Sequence, residues 1–230
     1  MIPQVLAERV RALGREAPGA LAAFDADGTL WREDIGEAFL RHLVSLGLVK
    51  LADGGDPYAS YERAVDRDRA TGYAYAAQLQ AGLAEAVVAQ AASEFAAAWV
   101  PERLIADTQA LRALCEEAGL TTVVVSASAL PIVLAGAPRA GFPRARCRGI
   151  AVAVRDGKFT ADLLPPLTYG PGKVTALASL GRLGLACGDS FTGDLAMLER
   201  ASIAVAVAPA RGSPLAEEAQ RRGWPVLAQE

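Results

Sequence analysis

The chain of 230 residues holds one histidine, three cysteines and, against twenty arginines, only three lysines. A single histidine excludes a multi-histidine zinc or iron centre, and a Ser-His-Asp triad could use only His42. Cys115, Cys147 and Cys187 are odd in number and lie 32 and 40 residues apart, which makes neither a disulfide framework nor a Cys-x-x-Cys metal pair. They sit in apolar stretches and read as small core residues in a reducing compartment. Net charge is small, −3, so there is no basic footprint for nucleic acid and no polybasic patch for a membrane surface. Long apolar runs are missing too. The longest uncharged stretch, residues 118–138, is interrupted by Ser126, Ser128 and Pro131 and makes a poor membrane span. The first fifteen residues are charged throughout and read as an amphipathic helix, without the apolar region of a secretory signal. The composition points to a cytoplasmic globular protein whose chemistry runs on carboxylates, hydroxyls or a rare lysine.

What is present falls into two textures. Residues 20–25 (ALAAFD) form a short apolar run closed by an acid and Gly28, a buried strand with a loop at its carboxyl end. Residues 35–100 then show helical spacing four times (35–49, 58–69, 72–81 and 84–100), with a breaker at 51–57 and no convincing strand. After Pro101 the pattern changes. Helices are expected at 102–118, 129–136, 173–181, 193–200 and 214–222, and apolar strands at 121–126, 183–189, 202–208 and 224–228. Residues 147–164 alternate around Asp156-Gly157, a β-hairpin. This order predicts an α/β fold: a doubly wound, Rossmann-like parallel sheet, with an all-helical insertion after its first strand and a β-hairpin. The core should comprise residues 1–33 and 104–230, and the insertion residues 34–103.

In such sheets ligands bind beyond the carboxyl ends of the strands, and three expected strands end in polar residues: Asp25, Ser126 and Asp189. Asp27 follows Asp25 by two positions, so both carboxylates can face one pocket, and Gly28 permits the turn. Asp194, at a helix start, reads equally as a first-turn acid matched to the dipole. Acids gathered this way repel unless a cation joins them, and an oxygen-only donor set suits Mg²⁺. Ser128, ahead of Pro131, is the better helix cap, which frees Ser126 for the pocket. Lys173 stands at a helix N-terminus, against the dipole, where a phosphate would need a compact cation.

Taken together, Asp25-Ala26-Asp27-Gly28-Thr29, Ser126, Lys173, and Gly188-Asp189 with Asp194 resemble the four ordered signatures of the haloacid dehalogenase superfamily of aspartate-nucleophile phosphohydrolases. The helical insertion and the hairpin look like those of its phosphoserine-phosphatase-like branch. The resemblance implies a Mg²⁺-dependent phosphomonoesterase acting on a small phosphorylated metabolite through an aspartyl-phosphate. It makes Asp25 the nucleophile and Asp27 the general acid and then base. Mg²⁺ would be held by Asp25, the Asp27 carbonyl and Asp189. Phosphoryl oxygens would be held by Ser126 and Lys173, with Thr29 and Gly28 beside them, and Asp194 would support Lys173 or a metal-bound water. The second acid, Asp27, favours phosphoester over carbon–halogen cleavage, because halide leaves without a proton.

For the leaving group, the branch places a Glu where this chain has Asp34, with Glu37 nearby; the two also read as an ordinary pair of helix N-terminal acids. Trp31 is expected at a pocket wall or between insertion and core; Arg63, Arg67 and Arg69 lie close in sequence to where the branch contacts substrate, and of these Arg67 is the candidate. An acidic face around Asp34 suits an amine-bearing phosphoester. The competing expectation is a catalytically silent or phospho-accepting binding protein of similar α/β fold.

Overall fold

A computed structural model describes residues 2–208 and 212–229 of the chain. β1 (Leu21–Phe24) lies at the centre of a seven-stranded sheet. β2 (Thr121–Ala129) and β5 (Leu183–Gly188) flank it in parallel. Beyond β2 come β3 (Cys147–Arg155) and the antiparallel edge strand β4 (Lys158–Leu164); beyond β5 come β6 (Ile203–Ala208) and β7 (Val226–Ala228). The order 4-3-2-1-5-6-7 reverses direction at β1, which is where a doubly wound sheet opens a crevice.

Successive side chains of β1 alternate between two apolar layers. Ala22 and Phe24 join the layer containing Leu6, Val10 and Leu13 of α1 (Gln4–Glu16) and Leu111 and Leu114 of α6 (Ala106–Glu117). Leu21 and Ala23 join the layer of α8 (Pro171–Ala178), α9 (Phe191–Arg200) and α10 (Pro214–Arg222), through Leu177, Met197 and Leu215. Both faces of the central strands β1, β5 and β6 are therefore buried, which is why they read as continuous apolar runs.

The insertion consists of α2 (Ile35–Ser45), α3 (Pro57–Arg67), α4 (Arg69–Gln78) and α5 (Glu85–Trp99). Its two connections to the core are paired: Trp31 bridges Leu104, the Arg32 amide donates to the Arg103 carbonyl (2.9 Å), and the Ile105 amide to that of Leu30 (3.0 Å). The far end of the insertion is clipped to the hairpin. Across this seam the Gly82 amide donates to the Phe159 carbonyl (2.8 Å), the Phe159 amide to that of Leu83 (3.0 Å), the Glu85 amide to that of Gly157 (2.8 Å), and Gln78 Nε2 to that of Ala161 (2.8 Å). The hairpin turn uses Asp156 and Gly157, both at positive φ (51° and 71°), the geometry its sequence announces. Among the described residues, no helix is long and apolar enough to cross a membrane.

Two expectations fail in detail. The strand expected to stop at Ser126 runs on to Ala129, with an irregularity in its pairing to β3 between Val125 and Ala129. The next helix, α7 (Leu130–Gly136), therefore starts from Ala129 without a side-chain cap, so Ser128 is a strand residue and not the helix cap. The helix expected over 102–118 starts only at Ala106, because Leu104 is occupied in the bridge to Trp31.

Candidate active site

Asp25 emerges from the end of β1, its amide bonded to the Cys187 carbonyl of β5 (2.9 Å), which fixes where its side chain begins. Lys173, in the first turn of α8, is only 2% exposed and reaches both Asp25 Oδ1 and Asp194 Oδ1 (2.6 Å to the latter). Asp194 Oδ2 accepts the amides of Asp189 (3.1 Å) and Ser190 (2.9 Å), so this acid binds the lysine with one oxygen and shapes the end of β5 with the other. Burying three charges this way is stable only because each has partners.

Ligand oxygens of Asp25, Asp189 and Asp194 all lie within 4.8 Å of one another. Burial, and then the neighbouring acids, push Asp25 up to about 7 and Asp189 up to about 9. Burial opposes the charge on Lys173, but Asp194 and Asp25 outweigh it and raise the lysine above its ordinary value. Among the described residues the Asp189 carboxylate receives only a long contact from Thr29, whose hydroxyl lies 3.4 Å from Asp25 Oδ2 and 3.5 Å from Asp189 Oδ1. Spare carboxylate oxygens that repel and lack donors fit a hard divalent cation. Asp25 and Asp189 could hold it, whereas both oxygens of Asp194 are already engaged.

The loop after β1 makes the approach possible. Gly28 has φ 73°, and a Cβ there would come within 2.1 Å of Asp189 Oδ2. Its carbonyl accepts from Gln229 Nε2 (2.8 Å) just beyond β7, which pins the loop to the end of that strand.

A family model described as haloacid dehalogenase-like hydrolase matches residues 22–199. The chain belongs to that family. No curated protein matches its sequence. Among solved structures, a protein of unknown function from Bordetella pertussis superposes with a TM-score of 0.77 at 21% identity, covering 93% of this chain and 100% of that one. A phosphoserine phosphohydrolase-like protein from Francisella tularensis gives 0.57 at 18% identity, covering 82% and 87%. A phospho-aspartyl intermediate analogue of phosphoserine phosphatase gives 0.60 at 15% identity, covering 93% and 94%. At these identities the likeness is one of fold.

In this hydrolase the sequence-selected residues separate into three groups. Asp25, Asp27, Gly28, Lys173, Asp189 and Asp194 line one cavity of about 310 Å³ between core and insertion. Thr29 and Ser126 are fully buried behind that wall. Thr29 sits between the two acids, and Ser126 Oγ accepts the Ser128 amide (3.0 Å) and approaches Asp27 Oδ2 (3.4 Å). Ala127 and Ser128 face the cavity in its place.

The third group comprises the residues expected to meet the leaving group. Asp34 lines the cavity and also caps α2, accepting the Glu37 amide at 2.8 Å; burial and then the charge of Asp27 push it up to about 8. Glu37 is not on this wall, since its carboxylate is taken by the Tyr58 hydroxyl and Arg41. Trp31 is not on it either: it is 0% exposed and packs edge-on to Trp99 at 6.4 Å. Arg67 ends α3, is exposed and does not line the cavity, while Arg69, two residues on, does. Asp68 separates them in extended conformation (φ −161°) and restarts the helix by capping α4 through the Thr71 amide, so the register changes between the two arginines. Sequence reasoning also missed Tyr73, Tyr169 and Gln229 on this wall. The rings of Tyr73 and Tyr169, one from the insertion and one from the core, meet at 5.6 Å. The Gly170-Pro171 break beside Tyr169 was the one local signal available; nothing near Gln229 announces a contact with Gly28, 201 residues away.

Proposed function

We propose that this hydrolase cleaves small phosphomonoesters, Mg²⁺-dependently, through an aspartyl-phosphate on Asp25. The supporting observation is the different bonding of two carboxylates two residues apart. Asp25 is tied to Lys173 beside Asp189, at the cavity floor. Asp27 turns the other way, to Trp31 Nε1 (2.9 Å), the Ile35 amide (2.7 Å) and Ser128 Oγ (2.7 Å).

In this reading a carboxylate oxygen of Asp25 attacks phosphorus and the ester P–O bond breaks. The electron pair leaves on the alcohol oxygen, which takes the proton of Asp27. A water oxygen then attacks the acyl phosphate, Asp27 takes back one proton, and the bond to Asp25 breaks to release phosphate. Lys173, the Gly28 loop and the Ala127–Ser128 strand end would meet the phosphoryl oxygens, with Ser126 holding the Ser128 amide from behind. Bound at Asp25 and Asp189, with the Asp27 carbonyl completing the protein ligands, Mg²⁺ would neutralise their repulsion and withdraw charge from the phosphoryl group.

Residues 34–103 act as the specificity cap on a core of residues 1–33 and 104–230. Asp34 with the Tyr73 and Tyr169 rings suits an ammonium on the leaving group, and Arg69 at the rim suits an additional acid. The test is phosphate release from a panel of phosphorylated metabolites and an aryl phosphate. Release with Mg²⁺ should be abolished by chelation, and Asp25→Asn should lower it at least ~10³-fold. A protein that binds phosphate yet turns over nothing in the panel is a binding protein, and the reading fails.

A further inference from the structure

Among the described residues Trp31 heads the fully buried side chains by volume, yet it lies outside the cavity. Its indole is held edge-on by Trp99 of α5 (interplanar angle 88°), and its rim closes on α7, where a Cβ on Gly136 would stand 3.2 Å from Cη2. Its one polar atom, Nε1, donates to Asp27 Oδ1 (2.9 Å).

The four groups around Asp27 divide by chemistry. Oδ1 faces the Trp31 indole N–H and the Ile35 amide N–H (2.7 Å), and neither can ever accept. Oδ2 faces two hydroxyls, Ser128 Oγ at 2.7 Å and Ser126 Oγ at 3.4 Å, and a hydroxyl can turn from donor to acceptor. A proton on Oδ1 would occupy a lone-pair position that one of the two N–H groups already uses, and leave that donor facing an O–H. A proton on Oδ2 needs only that Ser128 rotate its own hydrogen away, and Ser128 lines the cavity.

We propose that Trp31 is a positioning residue that, with the Ile35 amide, confines the transferable proton of Asp27 to Oδ2, and that its contact with Trp99 ties the acid's orientation to the seating of the cap. The proposal rests on the phosphatase reading, in which Asp27 protonates the alcohol oxygen. Trp31→Phe keeps an aromatic ring and removes the donor.

The experiment compares Trp31→Phe with wild type on 4-nitrophenyl phosphate, whose phenolate leaves without a proton, and on benzyl phosphate, whose alkoxide needs one. The expected result is a kcat on benzyl phosphate reduced about tenfold more than on 4-nitrophenyl phosphate, with KM little moved, because misdirected proton donation costs part of its ~10²–10⁴-fold contribution. Trp99→Leu, which loosens the contact but keeps the N–H, should shift the ratio in the same direction by less. Equal losses on both substrates would overturn the proposal and leave Trp31 a packing residue. A wild type inactive on both substrates fails the phosphatase reading instead. Should Trp31→Phe not fold, indole ¹⁵N–¹H spectra decide: one of the three tryptophan resonances should move in Asp27→Ala, and three unmoved resonances would overturn the proposal.

Discussion

The floor and the roof of the cavity are built on opposite principles. On the floor, Asp25, Lys173 and Asp194 are nearly fully buried and satisfied by one another. On the roof, Arg69 is exposed and makes no ion pair among the described residues, and Asp34 has burial but no cationic partner in contact. The floor sits at strand ends whose positions are set by a sheet buried on both faces. The roof hangs from two paired connections and a clip to the hairpin. Under the proposed function the contrast matches what each would meet. A transferring phosphoryl group is the same in every substrate, so donors and cations can be fixed in advance. A leaving group differs between substrates, and the wall that reads it keeps charges uncommitted until one arrives.

The largest effect should come from removing Lys173, the floor's one cation among the described residues. Lys173→Met leaves Asp25 and Asp194 facing each other in a buried site, and breaking a buried pair of this kind costs ~3–5 kcal/mol. Chemical denaturation should show a loss of that size, with phosphate release gone. Arg69→Met on the roof, by contrast, should leave the denaturation midpoint within error. If Lys173→Met were as stable as wild type, the floor would not be held electrostatically and the distinction would collapse.

A smaller effect follows from the acids beside the lysine. Asp25 and Asp189 are raised to about 7 and about 9 from an ordinary value of 3.8. Between 3.8 and these values the folded protein holds protons that the unfolded chain has released. Stability without a divalent cation should therefore fall as pH rises from about 4 towards 9, and level off once both acids have lost their protons. Mg²⁺ should flatten the slope by replacing those protons, and its stabilisation should be greatest at the alkaline end. Thermal midpoints across pH, with and without Mg²⁺, measure this; a midpoint that rises with pH in chelator would contradict the cation site.

The same contrast explains what the sequence could and could not show. The floor was legible because buried parallel strands are written as apolar runs, so an acid at the end of one, as at Asp25 and Asp189, marks a place and a chemistry together. Lys173 was legible by opposing its own helix dipole. Ser128 was misread because a small polar residue before a proline fits both a helix cap and a strand that overruns, and tertiary pairing of Ala129 with Ile150 decided for the strand. The roof was legible only as helices. Which arginine faces inward depended on a single extended residue, Asp68, and which tyrosines close the wall depended on how the insertion seats on the core.

The mildest test addresses the roof alone. Asparagine caps helices about as well as aspartate, so Asp34→Asn preserves the bond to the Glu37 amide and the start of α2 while removing the charge. With an ammonium-bearing phosphoester, kcat/KM should fall about tenfold, the loss of one partly screened charge contact, about 1.4 kcal/mol. With an aryl phosphate it should change no more than about twofold. The wild-type preference for the ammonium substrate should strengthen as pH rises towards about 8, where Asp34 loses its proton, and the Asn variant should show no such trend. The pH trend separates charge from shape: a preference that persists unchanged in Asp34→Asn at every pH would assign selectivity to the Tyr73 and Tyr169 rings, and the roof would then read size and aromatic contact rather than charge.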